Sequence, residues 1–186
     1  MKITQAGPEH AALISRIYAQ SWKTGYCGLL EQAYLDNIKD DHWEKPFTAW
    51  LAGDAIQAKI AWAGEEAAGA IAYGRFIPPT GAKAITFSGG YIQSLYVRPT
   101  YMRMGYGGAL LQAAEAALWE QGHRSSFLYV LDTNRRARIF YEKHGYAWDG
   151  TSLNCRAGEQ ALVDLRYVKA LPNDCVKPHL TDVSPF

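Results

Sequence analysis

Between Val97 and Leu111 the chain reads Val97-Arg98-Pro99-Thr100-Tyr101-Met102-Arg103-Met104-Gly105-Tyr106-Gly107-Gly108-Ala109-Leu110-Leu111. The chemistry open to these residues is anion binding. Pro99 ends a strand, Arg103 brings a cation into the loop, and Gly105, Gly107 and Gly108 open a helix. The first turn of a helix carries free main-chain N–H groups and the positive end of the helix dipole. Glycine lets a phosphate approach the main chain closely and allows positive φ in the loop. A glycine pair alone marks only a tight loop packed on a sheet, so the spacing has to decide. The dinucleotide fingerprint Gly-x-Gly-x-x-Gly needs glycine where Leu110 stands, and it follows its strand at once in the first βαβ unit. Here the loop is longer and lies mid-chain. The P-loop needs Gly-Lys-Ser/Thr, which is absent.

A second constellation is Asn134, Ala137, Tyr141, Gly145 and Tyr146. Offsets of three and seven residues place Asn134, Ala137 and Tyr141 on one helix face. In isolation a helical tyrosine is more often a packing residue whose hydroxyl has a partner. Near the N-terminus, Ser21, Trp22, Tyr26, Gly28, Leu29, Leu30, Tyr34, Leu35 and Asp36 form an aromatic-rich group, for which core packing is the simplest reading of any one residue. Trp43 and Trp50 sit seven apart and pin a helix to a sheet. Cys27, Cys155 and Cys175 are odd in number, widely spaced and without Cys-x-x-Cys, and the five histidines lack metal spacing. The expectation is reduced thiols and no metal.

The elements that must position these groups follow from periodicity. Lys2 to Gln5 read as a short edge strand, and Gly7-Pro8-Glu9 opens a helix with Leu13, Ile14, Ile17 and Tyr18 at helical spacing. Gly25 and Gly28 break it, and a second helix begins near Glu31 with Tyr34, Leu35 and Ile38 on one side. Ile56–Ala63 and Ala67–Ile77 read as strands joined at Gly64-Glu65-Glu66. Pro78, Pro79 and Gly81 mark a loop. Tyr91–Val97 is a strand, followed by a helix with a stripe of Leu110, Leu111, Ala114 and Leu118 that stops at Gly122. Ser126–Leu131 is an apolar strand, Asn134–His144 a helix capped by Asn134 and stopped by Gly145, and Tyr146–Leu153 and Ala161–Val168 are two more strands. The order β-α-α-β-β-β-α-β-α-β-β predicts a mixed sheet with helices on both faces. The segment from Leu171 to Phe186 shows no periodicity and reads as an irregular tail.

With 186 residues, of which 48% are apolar and 20% charged, the chain suffices for one domain with a buried core. Nineteen basic against eighteen acidic residues leave a net charge of +1, which argues against a nucleic-acid-binding face. No apolar run approaches the roughly 20 residues of a membrane helix, and no apolar stretch follows Lys2 as in a signal peptide. The expected location is the cytoplasm.

Residues 1–170 resemble the GCN5-related N-acetyltransferase (GNAT) family. The acyl-CoA loop of that family, Gln/Arg-x-x-Gly-x-Gly/Ala after a strand ending in Val-x-Pro, is matched by Val97-Arg98-Pro99 and by Met102-Arg103-Met104-Gly105-Tyr106-Gly107. Met102 departs from the usual Gln or Arg, which leaves Arg103 to supply charge. The segment Asn-x-x-Ala-x-x-x-Tyr-x-x-x-Gly-Phe is matched by Asn134, Ala137, Tyr141, Gly145 and Tyr146, with Tyr for Phe. The resemblance implies a twisted, largely antiparallel α/β (α+β) sheet of about seven strands in a single domain over 1–170, with 171–186 as its tail. It implies acetyl-CoA as co-substrate, bound by Val97, Met102, Arg103, Met104, Gly105, Tyr106, Gly107, Gly108, Asn134 and Ala137, with Tyr141 catalytic. Trp22, Tyr26 and Gln93 fall on the acceptor side. The acceptor is an amine of a small molecule or peptide, with no nucleic acid, membrane or metal involved, and a homodimer is left open.

In the family an amine attacks the acyl-CoA carbonyl directly and CoA thiolate leaves. A main-chain N–H of the strand ending at Val97 would face the oxyanion. Tyr141 would donate a hydrogen bond to the departing sulfur. Full proton transfer from a phenol near pKa 10 to a thiolate near 8.5 is uphill by roughly 2 kcal/mol. A general base is missing from the usual place, near Gln93. Glu65 and Glu66 belong to a turn, and Asp132 reads as a cap. That gap favours an acceptor amine of low pKa. The alternative is a non-catalytic acyl-CoA-binding or sensing module on the same fold.

Overall fold

A computed structural model describes residues 1–76 and 87–171. Among the described residues seven strands and five helices follow one another as β1 (Lys2–Ala6), α1 (Ala11–Gly25), α2 (Gln32–Asp36), α3 (Glu44–Ala52), β2 (Ile56–Ala63), β3 (Glu66–Gly74), β4 (Gly90–Val97), α4 (Tyr106–Glu120), β5 (Ser125–Leu131), α5 (Arg135–Lys143), β6 (Ala147–Ala157) and β7 (Gln160–Ala170), with short 3-10 turns at Pro8–His10 and Pro99–Tyr101. The strands form one sheet in the order β1-β2-β3-β4-β5-β7-β6. Every neighbouring pair is antiparallel except β4 and β5, which run parallel. This is the mixed, largely antiparallel sheet expected. Ile77, the Pro78-Pro79-Gly81 loop and residues 172–186, Cys175 among them, lie outside the described residues.

Alternation along the central strands buries both faces. Ile71 and Tyr73 of β3 join Leu128, Val130, Leu165 and Tyr167 beneath α4, whose Leu110, Leu111, Ala114 and Leu118 are fully buried. Ala70 and Ala72 of the same strand, with Ile56 and Ile60, pack against Ile14, Ile17 and Tyr18 of α1 and Phe47 of α3. A third cluster joins Leu131 at the end of β5 to Ala19, Leu30, Leu35 and Ile38. The region 31–52 differs from expectation. The helix near Glu31 is a single turn, and a separate α3 follows. The polar stretch between them turns because Ser15 Oγ donates to the Asp40 carbonyl (2.6 Å) and accepts from the Trp43 N–H (3.0 Å). Pro46 falls in the first turn of α3, where no intrahelical N–H bond is lost. Strands β6 and β7 run longer than their apolar runs suggest. They turn at Gly158, which has φ 57°, and β6 is a largely exposed edge strand that continues past Leu153 to Ala157.

Two irregularities open the sheet. β4 and β5 pair only at Gly90↔Ser126 and Tyr91↔Phe127, then diverge. On the other side of β4 the register passes from Ala72↔Ser94 to Tyr73↔Ile92, so Gln93 is the extra residue of a bulge.

Candidate active site

Met102 to Gly108 form the rim of the opening. Arg103 adopts φ 64° and Gly105 φ 87°, so two left-handed residues turn the loop into the start of α4. A side chain with a Cβ is strained at Gly105 for that reason alone. The first hydrogen bond of α4 is Ala109 N–H to Gly105 O at 3.1 Å. The N–H groups of Tyr106, Gly107 and Gly108 therefore have no acceptor within the helix, and no side chain caps them. A Cβ on Gly108 would lie 2.9 Å from His144 Nε2, so the main chain of α4 meets α5 closely here. Three free donors at the positive end of a 15-residue helix, in a loop carrying Arg103, form a cradle for an anion.

The diverging strands supply the interior. Arg98 N–H donates to Ala68 O at 2.8 Å, so the main-chain groups of Ser94, Tyr96 and Arg98 face β3. By alternation those of Leu95 and Val97 face the gap left by β5, where the Val97 carbonyl accepts from Ser21 Oγ at 3.4 Å. The N–H groups of the same residues are thus turned to the opening. The cavity measures about 480 Å³, within the range of small-ligand sites. Its wall runs from Met102, Arg103, Gly105, Gly107 and Gly108 past Val97 and Gln93 to Asn134, Ala137, Tyr141 and Tyr26. Met104, Tyr106 and Trp22 are not part of the wall. Met104 is exposed, Tyr106 packs edge-on against Tyr101, and Trp22 packs between Tyr26 and Trp43 at 4.6 and 5.3 Å. Any contribution of Met104 and Tyr106 to the cradle comes from their main chain.

Helix α5 presents the second constellation. Asn134 Oδ1 accepts from Ala137 N–H at 3.1 Å and caps the helix. Its amide is thus engaged in structure as well as facing the cavity. Tyr141 is buried and lines the cavity, and its hydroxyl makes no hydrogen bond among the described residues. Burial pushes its phenol above the ordinary value, and Tyr26 adds to the rise. An unpartnered phenol on a cavity wall is unlike the satisfied hydroxyl of a packing tyrosine. Tyr18, by contrast, has its hydroxyl bonded to Ser94 Oγ. Ser21, from the N-terminal group, also lines the wall, and several wall residues escape the sequence reading: Tyr96, Tyr129, Arg136, Phe140 and His144. Arg136 donates to the Met102 sulfur across the two motifs. The cation missing from position 102 is thus brought to the cradle by α5, through a contact that no local signal reveals.

Matched against known families, residues 18–146 fit the pattern of the Acetyltransferase (GNAT) family. The chain belongs to that family. Solved N-acetyltransferase structures share the fold. PaiA N-acetyltransferase from Thermoplasma acidophilum, solved in complex with coenzyme A, superposes with a TM-score of 0.73 at 20% identity, over 91% of this chain and 98% of that one. A GCN5-related N-acetyltransferase from Rhodopseudomonas palustris gives 0.70 at 21% identity, over 91% and 95%. Ribosomal-protein-alanine N-acetyltransferase from Brucella melitensis gives 0.69 at 18% identity, over 92% and 100%. At these identities the likeness is one of fold. No curated protein matches the sequence. Among the described residues no group of three or more His, Cys, Asp or Glu could hold a metal ion, and no helix is long and apolar enough to cross a membrane.

Gln93 occupies the bulge and cannot take a proton. Glu66, at the start of β3, accepts from the Tyr101 hydroxyl at the surface. Asp132 does not cap α5, since Asn134 does.

Proposed function

We propose that this GNAT protein transfers the acetyl group of acetyl-CoA to a primary amine of a small molecule or peptide, within a domain spanning residues 1–170. The observation that carries the reading is the juxtaposition of the anion cradle and the unpartnered Tyr141 hydroxyl on one cavity wall. Acetyl-CoA supplies an activated acyl group on a thiol leaving group. The Tyr106–Gly108 N–H groups, Arg103 and Arg136 hold its pyrophosphate. Small Ala137 leaves room for the pantetheine arm along α5. The N–H of Leu95 or Val97 faces the developing oxyanion, a preorganised donor that costs no reorganisation. Tyr141 hydrogen-bonds the departing sulfur. With its phenol pushed upward by burial, it acts first as a hydrogen-bond donor and only secondarily as an acid. A purely acyl-CoA-binding module would have no use for a phenol left without a partner at that position, so the enzymatic reading is preferred.

Coenzyme A should raise the melting temperature, because a ligand bound only to the folded state stabilises it by mass action. At 100-fold over its dissociation constant the gain is about 2.7 kcal/mol, or roughly 5–10 °C for a chain of this size. NAD should produce a much smaller shift, because Leu110 breaks the dinucleotide fingerprint. A larger shift with NAD in a thermal melt would overturn the assignment of the cradle.

A further inference from the structure

Helix α5 ends against the start of α4, and the residue at that junction, His144, takes no part in the mechanism above. It is the C-terminal cap of α5. Its ring packs against Phe140 at 4.3 Å between ring centres and lines the cavity together with Gly107 and Gly108. His144 Nδ1 lies 2.8 Å from the Phe140 carbonyl oxygen. A carbonyl only accepts, so Nδ1 carries a proton, and the charge of the ring is decided at Nε2.

Nε2 stands 2.9 Å from where a Cβ of Gly108 would lie. The absence of a side chain at Gly108 is what admits the ring. A helical Cα–Cβ bond leans toward the helix N-terminus. The edge of the ring is therefore beside the first turn of α4, where the N–H groups of Tyr106, Gly107 and Gly108 have no acceptor within the helix. Among the described residues Nε2 has no hydrogen-bond partner, and no carboxylate pairs with the ring. A phosphate held by the first turn of α4 meets either the lone pair of a neutral ring or the Nε2–H of an imidazolium. The lone pair repels it, and the N–H attracts it.

The groups around the ring offer no other switch of charge. Arg103 and Arg136 on the cavity wall are cations, as is Lys143 on α5. Lys169 of β7, close to Gly145, is paired with Glu115 of α4 at 2.8 Å, and Glu142 accepts from the Tyr167 hydroxyl at 2.8 Å. Burial pushes the Tyr141 and Tyr146 phenols above their ordinary value, so both stay neutral. Histidine is the side chain whose charge ordinarily changes between about pH 5 and 8.

We propose that His144 is a binding residue for the pyrophosphate of acetyl-CoA, its protonated ring adding an Nε2–H donor to the main-chain donors of α4, so that binding is coupled to proton uptake at this ring. The inference rests on the acetyl-CoA reading of the cradle and adds a ligand contact and the pH dependence that follows from it. The coupling is reciprocal: affinity rises as pH falls through the imidazole range and declines as pH rises through it.

The test titrates dephospho-coenzyme A calorimetrically into the full chain at about pH 6 and about pH 8, either side of the ordinary imidazole range. This probe keeps the pyrophosphate and lacks the ribose phosphate monoester, a group that itself titrates near pH 6. A hydrogen bond to a charged group corresponds to roughly 10- to 100-fold in affinity, so wild type should bind about tenfold more tightly at the lower pH. Titrations near neutrality in buffers of different ionisation heat should show net proton uptake. His144→Phe keeps a ring of similar size, and its affinity should match wild type at the higher pH, stay flat with pH and involve no proton uptake. His144→Gln, polar but uncharged, should also be flat. Equal wild-type affinity at both pH values would overturn the proposal, as would pH dependence or proton uptake that persists in a folded variant. The wild-type pH comparison and proton count stand even if a variant fails to fold. Tight binding that is flat with pH would remove His144 and leave the acetyl-CoA reading standing, whereas no saturable binding of the probe or of coenzyme A would remove both.

Discussion

Tyr141→Phe is expected to lower turnover by about 10²–10⁴-fold, the usual span of general-acid contributions, with acetyl-CoA affinity close to wild type. The substitution removes one oxygen and keeps the ring. Edge-on contacts with Phe140 and Tyr146, at 5.2 and 5.9 Å between ring centres, should therefore persist. No hydrogen bond is lost among the described residues, so the melting temperature should hardly move. The sulfur carries negative charge in the transition state and not in the bound thioester, so the loss belongs in kcat rather than in binding. Turnover and melting temperature measured on the same protein separate this account from a packing role. A packing tyrosine would lose stability and keep turnover.

Gly107→Asp should weaken acetyl-CoA by about 100-fold. A carboxylate about 6 Å from a phosphate charge, at an effective dielectric near 20, repels it by about 2.8 kcal/mol. The fold should tolerate the change. A Cβ at Gly107 meets the Phe140 ring at 3.4 Å and Val97 Cγ2 at 3.7 Å. A negative charge in the first turn of α4 is itself favourable to the helix by about 0.3–1 kcal/mol. Calorimetry should therefore show lost affinity in a protein whose melting temperature is held or raised. Affinity like that of wild type would remove the pyrophosphate from this loop.

What could be read in the sequence was local. Pro99, the glycines after it and the Asn134–Tyr141 spacing act within one loop or one helix, and their placement follows from chain geometry. Most element boundaries and a mixed sheet follow from periodicity in the same way, whereas the largely antiparallel pairing is what the family resemblance implies. The opening between β4 and β5 could not be read, because it depends on two strands pairing at only two residue pairs and then diverging. The separate α3 was hidden for a related reason: its start is set by Ser15, an α1 residue distant in sequence. Arg136 has no motif value alone and gains a role only by meeting Met102 across the fold.

The most direct measurement is amine-dependent thiol release from acetyl-CoA by the full chain, followed with a thiol reagent across a set of primary amines. The account predicts release above the background hydrolysis rate that requires an amine, saturates with it and is accompanied by the acetylated amine in the products. Tight coenzyme A binding with no amine in the set acetylated would contradict it, and would make the protein an acyl-CoA-binding member of the family.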